Sequence, residues 1–196
     1  MNNLKMYMVT HKNIDYIPKG RIPIFVGKGD NSGSYMTDDS GENISEKNRN
    51  YCELTALYWI WKNDHESEYV SIEHYRRFFM NAKSIIPAIA EPEEIKKIMK
   101  TYDVITSRYY DFGISIKEYY KQRHYLSDIE AAQEGIRKYY PEYLEAFDLV
   151  FDGKRIPMFN MLVMPKKLFD EYCEWLFKIL FFAEETIDLS NRTEYQ

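Results

Sequence analysis

Tyr69-Val-Ser-Ile-Glu-His-Tyr-Arg-Arg-Phe-Phe79 is the stretch whose reading decides the fold. Val70 and Ile72 alternate with Ser71 and Glu73 in the two-residue period of a strand. The run then delivers an imidazole, a phenol and two guanidinium groups at one corner, His74 to Arg77. Ligands of open α/β sheets gather beyond the carboxyl ends of strands, so Arg76 and Arg77 stand where planar forks of donors can grip a polyanion. The other reading is a solvated charge pair beside an aromatic plug, Phe78-Phe79, and these residues alone do not separate the two.

Toward the N-terminus, residues 5–10 and 22–26 read as further strands, the second punctuated by Gly27 and Gly29, with His11 in the polar loop between them. Residues 30–50 form a long polar segment, of the kind that is either functional or disordered. A helix is expected from about Asn50, with Glu53 closing a capping box and Tyr51, Leu54, Leu57, Tyr58 and Trp61 on its apolar face. Beyond the central strand, 91–100 reads as a helix and 102–106 as a strand. Helices follow at 116–123, at 127–139 behind a Ser127/Glu130 capping box, and at 141–151 with Pro141 in the first turn. A strand at 161–164 precedes the longest helix, 166–185. Strands alternating with helices define an α/β protein.

The 196 residues, 45% hydrophobic, suffice for one sizeable core, and a single domain over 1–196 is expected. A net charge of -5 with scattered basic residues argues against a nucleic-acid partner. No apolar run approaches the length of a membrane span and the start has no signal-peptide core, so a cytoplasmic location is expected. Cys52 and Cys173 fall in helix-like stretches and are expected as buried thiols, with neither a disulfide nor zinc indicated. The 18 tyrosines suit a sugar-binding cleft, although on composition alone a Tyr-rich core and rim is the preferred account of them.

Three clusters remain. Asp38-Asp-Ser-Gly-Glu-Asn-Ile-Ser-Glu-Lys-Asn48 leads into Tyr51-Cys-Glu-Leu-Thr-Ala-Leu-Tyr-Trp-Ile-Trp-Lys62, then come His74-Tyr-Arg-Arg77, and finally Asn160-Met161 with Phe169-Asp-Glu-Tyr-Cys-Glu-Trp-Leu176. Together they resemble a bacterial family of glycosyltransferases encoded among capsular and exopolysaccharide synthesis genes. The resemblance covers residues 5–196. It implies a GT-A-like, Rossmann-like mixed sheet flanked by helices, with a nucleotide-sugar donor at the carboxyl ends of the strands and a glycan or lipid-linked glycan as acceptor. It also implies work at the inner face of the membrane. His11 and Gly27 would border the nucleotide, Asn43, Lys47 and Asn48 would shape the donor loop with Asp38 and Asp39, and Tyr75, Arg76 and Arg77 would face the diphosphate. Asn160 would meet the sugar or acceptor. His74, Asp38 and Asp39 are the candidate catalytic groups.

Many GT-A enzymes hold a divalent cation, Mn or Mg, through an Asp-x-Asp motif. The corresponding corner here is Glu73-His74-Tyr75 and no Asp-x-Asp occurs, so no metal ligand is assigned and Arg76-Arg77 are expected to neutralise the departing diphosphate. Family members continue beyond the point where this sequence stops, so a shortened C-terminal segment is expected. The leading function is transfer of a hexose, galactose-type among the candidates, to a surface polysaccharide. The alternative is a non-catalytic nucleotide-sugar or glycan-binding module.

Overall fold

β1 (Leu4–Thr10) is central because its run Met6-Tyr-Met-Val-Thr10 is apolar enough to be buried on both faces, as a parallel inner strand requires. The structure is a computed structural model that describes residues 3–81 and 84–190. β2 (Arg21–Phe25) and β3 (Met36–Thr37) add in parallel on one side of β1, and β4 (Tyr69–His74) adds in parallel on the other. β5 (Ile105–Thr106) closes the far edge by pairing antiparallel with β8 (Leu162–Pro165), which itself runs antiparallel to β4. The order is β3-β2-β1-β4-β8-β5, so the chain winds one way from β1 to β3 and then returns across β1 to β4. That reversal is the switch point at which doubly wound sheets bind ligands. The result is the expected α/β class, a mixed sheet flanked by helices.

The chain divides into two compact units, 1–107 with 159–173, and 108–158 with 174–196. The first holds the sheet, the short helix α1 (Asn48–Tyr51), α2 (Leu54–Asn63) and α3 (Pro92–Ile98). Met6, Phe79, Ala90, Ile95, Met99, Met161 and Val163 form a core cluster in it. The second contains a two-stranded ladder, β6 (Tyr109–Asp111) against β7 (Arg155–Pro157), with α4 (Ile116–Lys121), α5 (Leu126–Tyr139) and α6 (Leu144–Asp152). α7 (Lys166–Thr186) begins in the first unit and ends in the second.

Several local expectations are corrected. The predicted helix from Asn50 is two pieces, broken where Cys52 takes φ 48°. Glu53 makes no cap bond there. α5 starts at Leu126 behind Tyr125 as N-cap, and the Ser127 hydroxyl points to Asp128 rather than capping. The functioning capping box is instead Glu91 with Glu94, opening α3. Cys52 is exposed, not buried, whereas Cys173 is buried as expected.

Glu73 and Asp64 are among the charged groups buried in the first unit. Ser71 and Glu73 are as inaccessible as Val70 and Ile72, so the alternation in β4 marks no solvated face. Glu73 survives there because Arg21 meets it with two bonds, Nε to Oε2 at 2.7 Å and Nη2 to Oε1 at 3.1 Å, while Phe79 N–H donates at 2.8 Å. Asp64, capping the end of α2, accepts from Lys5 Nζ and Tyr7 Oη, both at 2.9 Å, and from the Ser67 hydroxyl. Burial alone would raise its pKa. The Ser67, Lys5 and Tyr7 bonds outweigh that and hold it down to about 2. A carboxyl depressed in the folded state contributes stability above its unfolded pKa and loses it as pH falls from about 4 to about 2. We therefore predict that Asp64→Asn removes about 2 kcal/mol of the acid-induced loss of stability in that window. Urea midpoints at neutral pH and near pH 2 check this, and an unchanged acid dependence would count against it.

Candidate active site at the carboxyl edge of the sheet

Because β3, β2, β1 and β4 are all parallel, their carboxyl ends share one edge. The residues that follow them are Asp38-Asp39, Val26-Gly27, His11-Lys12 and Tyr75-Arg76-Arg77. β8 runs the other way, so its amino end brings Phe159-Asn160 to the same edge. The topology thus gathers the polar groups of the three clusters, in 38–48, at 74–77 and at Asn160, into the first unit. Strands spaced about 4.8 Å apart still leave Asp38 and His74 on the order of 14 Å from each other along the row.

The His74–Arg77 corner is a tight turn. His74 N–H donates to Arg77 O at 3.1 Å, Arg77 N–H donates back at 3.0 Å, and Tyr75 N–H fastens the turn to Val9 O of β1. Tyr75 collects its neighbours across the switch point: the His11 ring stands edge-on at 5.3 Å, and Lys12 Nζ and the Arg76 guanidinium lie 5.2 and 4.9 Å from its centroid. Arg77 lies 4.0 Å over the Phe159 ring. Arg76 and Arg77 are exposed, and among the described residues neither has a carboxylate within ion-pair distance. An arginine meant for stability looks like Arg21, buried on a carboxylate; this pair leaves its charge available to a ligand.

Phe159 and Asn160 are consecutive non-glycine residues with φ of 76° and 50°. Such backbone costs on the order of 1–3 kcal/mol per residue unless the surroundings impose it, and it concentrates at functional sites. Two side chains impose it here. His74 Nε2 hydrogen-bonds the Phe159 carbonyl, which can only accept, so Nε2 carries the proton. Asn160 Nδ2 donates to Glu53 Oε1 at 2.8 Å. Glu53 reaches Asn160 because the break at Cys52 ends α1 just before it. Sequence reading assigned Glu53 to a helix start and passed over Phe159, since neither a break at a cysteine nor a left-handed Phe-Asn pair has a local signature.

The loop through 38–48 is ordered by α2. Trp59 Nε1 donates to Ser40 O, Asn63 bonds Glu42 in both directions, and Tyr58 Oη donates to the Glu42 carboxylate. Gly41, at φ +58°, leaves no space for a Cβ against Asn63. Asn48 Nδ2 bonds Cys52 O and Thr55 Oγ1, and its Oδ1 lies so close to Gly27 that a Cβ there would sit 2.5 Å away. Asn43 caps its own turn through Gly41 O and Ser45 N–H, and Lys47 is half-buried in the adjoining single turn, Ser45–Lys47. Asp38 is buried, takes the Ser45 hydroxyl at 2.8 Å and a bond from Thr55, and burial pushes its pKa up. Asp39 is exposed and accepts from the Thr37 hydroxyl.

The acidic groups do not fit a divalent cation. Glu73 is consumed by Arg21, Asp38 lies three strands away and is buried, and among the described residues no three His, Cys, Asp or Glu side chains gather in metal-binding array. His124 and Asp128 lie in the second unit, both against Tyr120.

The first unit is a Rossmann-like mixed sheet with a cationic, aromatic corner at its switch point. Residues 5–196 match DUF4422, a domain of unknown function, and the chain belongs to that family. Among solved structures, the apo structure of WbbM, a bifunctional glycosyltransferase, matches with a TM-score of 0.83 and 30% identity over 98% of this chain. The fold is therefore GT-A-like, and the chain spans 39% of the WbbM chain. No curated protein matches. Among the described residues no helix is long and apolar enough to cross a membrane.

Proposed function

We propose that this chain is a glycosyltransferase that takes a hexose, galactose-type among the candidates, from a nucleotide-diphosphate sugar to a capsular or exopolysaccharide acceptor. Work in the cytoplasm beside the membrane fits a lipid-linked acceptor. The likeness to a bifunctional glycosyltransferase supports the reaction class. The observation that carries the reading is the exposed Arg76-Arg77 pair, unpaired by any described carboxylate, beside Tyr75 and Phe159 at the switch point.

In this reading the acceptor hydroxyl oxygen bonds to the anomeric carbon as the bond from that carbon to the diphosphate oxygen breaks. The guanidinium groups stabilise the charge gathering on the departing diphosphate. The hydroxyl proton passes to a base. His74 is tied by its Nε2–H to Phe159 O and keeps only Nδ1 as a basic nitrogen, while the half-buried Glu53 keeps a carboxylate oxygen beyond the one held by Asn160. Glu53 is the base this geometry supports best, with His74 and Asn160 holding the turn. Asp38 serves the donor loop from inside, and Asp39 remains at its exposed rim.

Calorimetry with uridine diphosphate tests the donor site. Arg76→Ala is expected to weaken binding by about 1.5–3 kcal/mol, the scale of a charge-assisted hydrogen bond. Because Glu73 is held by Arg21 and Asp38 is buried, exchange of EDTA for manganese is expected to change wild-type affinity little. Equal affinity in the alanine variant would remove the diphosphate from this corner.

A further inference from the structure

Three of the described non-glycine residues with positive φ, Cys52, Phe159 and Asn160, meet at Glu53, which follows the first and bonds the last. Cys52 has φ 48° and ψ -125°, the mirror image of extended backbone, a region that glycine enters freely and a cysteine does not. Its carbonyl lies in the same rigid peptide plane as the Glu53 N–H, so whatever holds that oxygen sets the direction in which Glu53 leaves the chain. Three donors hold it: Asn48 Nδ2 at 2.8 Å, Thr55 Oγ1 at 3.0 Å and Thr55 N–H at 3.4 Å. The two Thr55 bonds come from the first turn of α2 itself. The Asn48 bond crosses the break from α1. Asn48 Nδ2 also donates to Thr55 Oγ1 at 3.1 Å, and Cys52 N–H donates to Asn48 O at 2.8 Å. On its other side Asn48 Oδ1 rests against Gly27, where an added Cβ would lie 2.5 Å from it.

We infer that Asn48 is a positioning residue, which fixes the Cys52 carbonyl and thereby aims Glu53 at the acceptor hydroxyl. The inference rests on the reading of Glu53 as the base. An amide nitrogen carries two hydrogens, and both of those on Asn48 are spent on this break, so no N–H remains for a diphosphate oxygen. The side chain therefore serves the chain rather than the donor. Glu53 is held at both ends, its backbone through Cys52 O by Asn48 and its carboxylate by Asn160. A long flexible acid fixed in this way is presented in one geometry, and a displacement of about 1 Å in a reacting group can cost on the order of 10²-fold in rate. Gly27, at the end of β2, leaves the room in which the Asn48 amide is seated.

The test follows release of uridine diphosphate from uridine diphosphate galactose, below the melting range of every variant, with calorimetry on uridine diphosphate for donor affinity. Asn48→Ala is expected to lower kcat about 10–100-fold while KM for the donor and affinity for uridine diphosphate stay within about twofold. Thr55→Val, which removes one donor to Cys52 O and keeps the side-chain shape, is expected to act in the same direction by a smaller factor. Both substitutions are neutral, so the charge around the donor is unaltered. In a Glu53→Gln background, adding Asn48→Ala is expected to change kcat by less than about twofold, because Asn48 acts only through Glu53. Losses that multiply in the double variant, or wild-type kcat in Asn48→Ala beside a slow Glu53→Gln, would overturn the role of Asn48 and leave the base in place. A fall in affinity for uridine diphosphate as large as the fall in kcat would make Asn48 a donor ligand instead. Wild-type kcat in Glu53→Gln, or no release by wild type, would overturn the underlying reading and this inference with it.

Discussion

Glu73→Gln is expected to lower the free energy of unfolding by about 3–5 kcal/mol, the scale for removing one partner of a buried ion pair. The Arg21 side chain is 1% exposed and Glu73 0%, so no water waits to replace the carboxylate. Glutamine keeps an oxygen for the Phe79 N–H, which isolates the loss of charge from the loss of that bond. The cost belongs to the orphaned guanidinium rather than to any intrinsic worth of the pair. Replacing both residues, Arg21→Met with Glu73→Leu, should therefore return stability to wild type or above. Urea unfolding checks this: the midpoint should fall for the single variant at unchanged slope and recover in the double. A loss below about 1 kcal/mol in Glu73→Gln would mean that water or a shifted side chain reaches Arg21. The same engagement keeps Glu73 from serving as a cation ligand.

β4 shows how far local pattern carries. Its alternation gives the strand correctly, but for a reason that does not hold: both faces are buried, and Glu73 is tolerated only because Arg21 arrives from β2, two positions across the sheet. Sequence shows the polar side chain and cannot show the partner 52 residues away. The 38–48 loop stands out in the sequence by its composition and motif, while its order comes from Trp59, Tyr58 and Asn63 on a helix it precedes. Glu53 matched a capping pattern and was recruited instead by Asn160, 107 residues on. β6 and β7 escaped notice because they are three residues each and mostly exposed, leaving no apolar period to detect. The long apolar elements β1, β4, β8 and α7 were found within a residue or so, since their burial is written in their own side chains. The grouping of the three polar clusters followed from strand direction, which only the pairing reveals.

Glu53→Gln is expected to reduce kcat by about 10²–10⁴-fold, the usual contribution of a positioned general base, with donor affinity unchanged. The substitution is informative because Gln retains a carbonyl oxygen to accept from Asn160 Nδ2, so the Phe159-Asn160 turn keeps its tether while the carboxylate is gone. Asn160→Ala does the reverse, leaving the base and releasing the turn. It should raise KM, and weaken donor binding if Phe159 and Arg77 form one wall of the site. A donor identified by thermal shift, followed by release of its nucleoside diphosphate with and without acceptor, gives both readouts. A merely structural Glu53 predicts that the two variants fail alike and in proportion to lost stability. Glu53→Gln retaining kcat within about threefold would sink the assignment, because a base contributes far more than that. The proton would then have to leave through Asp39, the exposed carboxylate at the opposite end of the row, or through Nδ1 of His74, and His74→Gln with Asp39→Asn would decide between them.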